Sequence, residues 1–153
     1  MSRREDAMAL FEQGYNCAQA VAGAFCDKTK VDFETTMRLA SAFGGGMGRL
    51  REVCGAVSGM FMVTGLVYGY DSPKDIEAKK NLYKQVQSFA NSFKERNGSY
   101  VCRELLSLPD GADNPVPEAR TAQYYKKRPC KELVGDAAEI LEKFMEGENN
   151  VSG

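Results

Sequence analysis

Apolar positions along this chain recur at steps of three and four, the spacing of helices that bury one face. From Arg4 to about Phe25 one stripe runs through Met8, Phe11, Tyr15, Ala18, Ala22 and Phe25, and a second through Leu10, Gly14, Cys17 and Val21. Together they predict one amphipathic helix with a broad buried face. Asp32 reads as the N-cap of a short helix to Ala42, with Phe33, Met37 and Ala40 inward. The stretch from Val53 to Tyr70 carries no charge, which predicts a central helix buried on all sides. Along it Gly55, Ser58, Gly59, Gly65 and Gly69 would let neighbouring backbones, or a cofactor, come close. Ser72-Pro73-Lys74-Asp75 reads as the start of a helix burying Leu82, Val86, Phe89 and Phe93, which Asn97-Gly98 stops. Ser99 would cap a short helix from Tyr100 to Leu106, and residues 107–117 form a loop punctuated by proline and glycine. Pro129 opens the last helix, with a stripe of Cys130, Leu133, Val134, Ala137, Leu141 and Phe144. The expectation is an all-α fold: one bundle of five or six helices over residues 1–147, a buried glycine-rich helix at its centre, and a disordered tail over 148–153.

Charge removes some functions. The balance of 20 Lys+Arg against 21 Asp+Glu argues against a nucleic-acid binder driven by net charge. Residues 1–13 are charged and amphipathic, without the apolar core of a secretory leader. The uncharged run holds two GxxxG spacings but is diluted by glycine, serine and threonine, so a buried helix is expected and no membrane insertion. A cytoplasmic location follows as the expectation.

Cysteine changes the picture most. The chain has 5 Cys and no His, which takes away the commonest general base and metal ligand. No CxxC pair is present, so neither a thioredoxin-type motif nor a zinc ribbon applies. Cys54, Cys102 and Cys130 fall at predicted helix N-termini, where unpaired amides favour thiolate. Lys126, Lys127, Arg128 and Lys131 push Cys130 the same way, although the run Tyr124–Lys131 otherwise reads as solvated surface. Both Cys102 and Cys130 are therefore expected to titrate below an ordinary thiol. Cys26, at the end of an apolar helix, reads as core packing. The glycine turn Gly44, Gly45, Gly46, Gly48 with Arg49 lacks the lysine and spacing of a P-loop. It is a candidate cofactor or anion site at a helix start, with Arg49 and Arg51 to hold an anion, and equally a tight turn between two packed helices.

Cys17 in YNCAQAV, the hexapeptide Cys54-Gly55-Ala56-Val57-Ser58-Gly59 after FGGGMGR, Cys102 in YVCRELL and Cys130 in RPCKELV together resemble the C_GCAxxG_C_C family of redox-active proteins. The resemblance covers about residues 7–145 and leaves Cys26 outside the pattern. It implies a small helical protein with thiol- or metal-based redox chemistry and an unidentified redox partner. The leading expectation is that Cys17, Cys54, Cys102 and Cys130 converge to bind a metal or an iron–sulfur cluster, an all-sulfur site that suits a chain without histidine. The second is metal-free cycling between dithiol and disulfide. A third, of another class, is a helical module that binds a small ligand or partner, with cysteines as packing. Enzyme or carrier, monomer or homo-oligomer, both stay open at this stage.

Overall fold

A computed structural model describes residues 1–147 in full and residues 148–152 by backbone path alone; the tail expected over 148–153 lies outside the fully described residues. Nine right-handed α-helices, one 3-10 turn at Ser41–Phe43 and no strand occur among the described residues, so the chain is all-α. They are α1 (Arg3–Glu12), α2 (Cys17–Gly23), α3 (Cys26–Thr29), α4 (Phe33–Ala40), α5 (Gly55–Tyr68), α6 (Ile76–Asn97), α7 (Cys102–Leu105), α8 (Ala122–Lys127) and α9 (Cys130–Ser152). None of the described helices is long and apolar enough to cross a membrane.

The single helix expected from Arg4 to Phe25 is two. Gly14 takes φ 109°, a left-handed conformation that ends α1. Asn16 then restarts the chain: its side chain accepts from the Gln19 amide at 2.9 Å, and Gln19 Oε1 accepts from the Asn16 amide at 3.0 Å. This reciprocal capping box was legible as Asn16-x-x-Gln19, but the apolar stripe ran through it. Ser2 and Glu5 cap α1 in the same manner.

Helix α5 is central only over its first half. Residues Gly55 to Met60 are buried, whereas Gly65 is exposed and Leu66 is 46% exposed, contrary to burial along the whole run. A Cβ on Gly59 would meet the Ala18 carbonyl oxygen at 2.7 Å and Val21 Cβ at 3.0 Å, so α2 and α5 pack backbone to backbone. Around this pair, α9 lies against α1, α2 and α6, burying Leu133, Val134, Ala137, Ala138 and Leu141. The inward residues of α4 are Thr36, Met37 and Ala40; Phe33 is 41% exposed and rests edge-on against Tyr15 at 5.6 Å.

Helix α6 starts three residues later than expected, with Asp75 as the cap accepting from the Ala78 amide at 3.0 Å. It buries only Phe89 and Phe93, leaving Leu82 and Val86 half-buried. Gly98 at φ 88° ends it, as Asn97-Gly98 signalled. Ser99 does not cap α7; its hydroxyl accepts from the Val101 amide at 3.0 Å. Helix α8, capped by Thr121, was not anticipated, because six residues are too few to display a helical period.

Candidate functional site

Four cysteines begin four helices. Cys17, Cys102 and Cys130 are the first residues of α2, α7 and α9, and Cys54 is the N-cap of α5. Only Cys17 escapes the sequence reading, which had placed it in mid-helix. Residues 51–54 and 100–103 run antiparallel: the Cys54 amide donates to Tyr100 O at 2.9 Å, the Cys102 amide to Glu52 O at 2.6 Å, and Val53 bridges Val101. This pairing brings the starts of α5 and α7 together although they are far apart in sequence. Gly55 does the same for α2, since a Cβ there would meet Cys17 Cβ at 3.0 Å. As a result Cys17, Cys54, Cys102 and Cys130 all line one cavity of about 310 Å³. Cys26 stays apart, its sulfur 3.6 Å from Thr36 Oγ1.

The glycine turn forms one wall of that cavity, and it is left-handed. Gly45, Gly46, Met47, Gly48 and Arg49 have φ of 68°, 66°, 67°, 61° and 66°, and the Gly48 amide donates to Gly44 O at 2.9 Å. Each non-glycine residue in such a turn costs about 1–2 kcal/mol. The opposing contribution comes from a residue more than sixty positions on. Asp113 pairs with Arg49 Nη2 at 3.0 Å and Arg51 Nη2 at 2.9 Å, and its amide donates to Arg49 O at 2.9 Å. Gly46 leaves no room for any side chain: a Cβ would lie 2.5 Å from Cys102 Cβ and 2.9 Å from Arg51 Cα. Thus Gly44, Gly45, Gly46, Gly48 and Arg49 do line the cavity, with the Arg49 guanidinium already held by Asp113 and by Asn114 O at 2.6 Å.

Of the remaining walls, Arg51 and Arg128 carried expectations from the sequence, whereas Tyr124 and Arg120 were missed. Arg51 is 4% exposed and points Nη1 at Cys102 Sγ, 3.6 Å away. Tyr124 and Arg128 belong to the run read as solvated surface; Lys126 and Lys127 are exposed, but Tyr124 and Arg128 turn into the cavity wall. Arg128 pairs with Glu118. Arg120 lies flat over the Phe11 ring at 3.8 Å and donates to the carbonyls of Phe11 and Tyr15, closing the end of α1. The loop between α7 and α8 is therefore tied across the cavity through Asp113, Glu118 and Arg120.

The four thiols differ sharply. Cys130 is lowered to about 7, most by the neighbouring Cys17 thiol and next by the Tyr124 hydroxyl, with Arg128 and Arg51 adding positive charge against the cost of burial. Cys17 is correspondingly raised well above the ordinary value, by the neighbouring Cys130 sulfur and by burial. Burial pushes Cys54 up to about 12, partly offset by the amides of Ala56 and Val57 at the start of α5. Cys102 is raised, not lowered as expected: burial outweighs the neighbouring Arg51. A one-turn helix aligns too few peptide dipoles to reverse that balance. Tyr124 is also raised, by burial and by the negative sulfur of Cys130.

A family profile described as "Putative redox-active protein (C_GCAxxG_C_C)" matches residues 15–144. The chain belongs to this family. No curated protein and no solved structure matches it. The family match spans all four cavity cysteines. Among the described residues, no group of three or more His, Cys, Asp or Glu is arranged to hold a metal ion.

Proposed function

We propose that this protein performs thiol–disulfide exchange in the cavity, with Cys130 as the attacking thiolate and Cys17 as the resolving thiol. The observation that carries this reading is that Cys17 and Cys130 open α2 and α9 on one cavity, near enough to shift each other's proton affinity, Cys130 downward and Cys17 upward. An attacking thiol works best when its pKa lies near ambient pH, where thiolate is plentiful and still nucleophilic. The Cys130 thiolate attacks one sulfur of a substrate disulfide; a mixed disulfide forms and the first substrate thiolate leaves. Cys17 then gives up its proton to that thiolate, and its sulfur attacks Cys130. The Cys17–Cys130 disulfide forms and the second substrate thiolate departs, taking a proton from water. Two electrons pass from the protein to the substrate, and an external dithiol returns the pair to its reduced form. Cys54 and Cys102, buried and held protonated, are unsuited to the first attack. A reducing compartment such as the cytoplasm suits five free thiols.

A metal or an iron–sulfur cluster on Cys17, Cys54, Cys102 and Cys130 is the second reading, favoured by the four sulfurs sharing one cavity. As arranged, they do not fit a metal. The experiment treats fully reduced protein with one equivalent of a small disulfide and maps the products by mass spectrometry without reduction. A Cys17–Cys130 bridge is expected, and Cys17→Ser should stall as a mixed disulfide on Cys130. A first bridge elsewhere would remove the assignment. A charge-transfer absorption band in protein purified without oxygen would transfer support to the metal reading.

A further inference from the structure

We infer that the cavity selects a small disulfide bearing carboxylates, an inference that rests on the exchange chemistry above. Size comes first. At about 310 Å³ the cavity lies at the small end of ligand pockets, which span roughly 300–1,000 Å³. The tied loop between α7 and α8 places Pro115 and Pro117 on its wall, which narrows the approach to Cys130 and favours a small disulfide over one on a folded protein surface. Charge comes second. Four guanidinium groups line the space, those of Arg49, Arg51, Arg120 and Arg128. Against them stand Glu118 on Arg128, and Asp113, which Arg49 and Arg51 share. Arg120 has only the carbonyls of Phe11 and Tyr15 and the Phe11 ring as partners among the described residues. The wall thus keeps an excess of positive charge even after the Cys130 thiolate is set against it. Part of that charge is desolvated, where it acts more strongly than in water.

The selectivity inverts what a bare thiolate does. A thiolate in water repels an anionic disulfide and attracts a cationic one; this cavity should do the reverse. The electron balance is that of the exchange reaction: one dicarboxylate disulfide is reduced to two thiols as the Cys17–Cys130 bond forms.

The test uses the full reduced chain and three disulfides of similar size: 3,3′-dithiodipropionate, 2-hydroxyethyl disulfide and cystamine. Single-turnover rates should fall in that order, and Arg128→Gln should reduce the dithiodipropionate-to-hydroxyethyl ratio about fivefold, with Arg128→Lys restoring most of it. Taking the ratio cancels any change in the thiolate content of Cys130. Alkylation of Cys130 by iodoacetate against iodoacetamide supplies a second measurement in the unaltered protein. Its ratio should exceed that of N-acetylcysteine amide in solution. Rates that fall from cystamine to dithiodipropionate would overturn the charge selection and leave the exchange reaction standing. An iodoacetate preference with no disulfide reduced would overturn the disulfide chemistry and keep the anion-selective cavity.

Discussion

Replacing Cys17 by alanine removes the neighbouring thiol that does most to lower Cys130, and the size of the effect follows from the site. A hydrogen bond to a charged group contributes about 1.5–3 kcal/mol, and one pKa unit corresponds to about 1.4 kcal/mol. Losing that thiol disfavours thiolate, so the Cys130 pKa rises. The expected rise is about one to two units from its value of about 7. Tyr124, Arg128 and Arg51 remain beside the sulfur and hold the shift below complete reversal. Near pH 7 the thiolate fraction would fall from about a half to about a tenth or less. The assay is the pH dependence of alkylation by a neutral reagent, read at the peptide containing Cys130, alongside the ultraviolet absorbance of thiolate. Cys17→Ser keeps a hydroxyl donor at the same place and should fall between the two. Tyr124→Phe, which removes the second donor, should raise Cys130 by less than Cys17→Ala does. An unchanged midpoint in Cys17→Ala would refute the reasoning, because it would assign the acidity to the arginines and leave Cys17 without a part in activating its neighbour.

Three further outcomes follow from the same geometry. Gly46→Ala forces a side chain into a left-handed position 2.5 Å from Cys102 Cβ, and should destabilise the protein by about 2–5 kcal/mol in denaturant unfolding. Gly65→Ala sits in a helix with nothing within 4 Å, and should stabilise it by about 0.5–1 kcal/mol; equal effects at both positions would contradict the packing described. Cys54 and Cys102 are both raised above the ordinary value of 9.0, so the unfolded chain gives up those protons first. The stability they contribute is complete below about pH 9 and is lost as pH climbs toward 12, and Cys54→Ala should make that alkaline decline shallower.

Local rules reach far into this chain. The stripes of α1 and α9, the Asp32 cap, the Asn97-Gly98 stop and the uncharged helix can all be read from neighbouring residues, because a helix is built from contacts three and four positions apart. So can three of the four cysteines at helix starts, and the CGAVSG motif that marks the family. The fourth, Cys17, was hidden only because two helices share one apolar stripe across Gly14. What local rules could not supply is the balance of opposing effects inside the cavity. Helix-start amides predicted acidity at Cys102, but burial there is a property of everything packed around it, and burial won. Arg128 and Tyr124 looked solvated because their neighbours are lysines, yet Tyr124 from within α8 and Arg128 at its end both line the cavity. Arg49 and Arg51 advertised an anion site, and the anion they hold is Asp113, brought back by a loop whose path no local pattern encodes. The acidity of Cys130 depends on a thiol 113 positions earlier in the chain, and only the packing of α2 against α9 puts that thiol beside it. Secondary structure is a short-range consequence of sequence, whereas the proton affinity of a buried sulfur sums desolvation and fields from residues that only the tertiary fold makes neighbours.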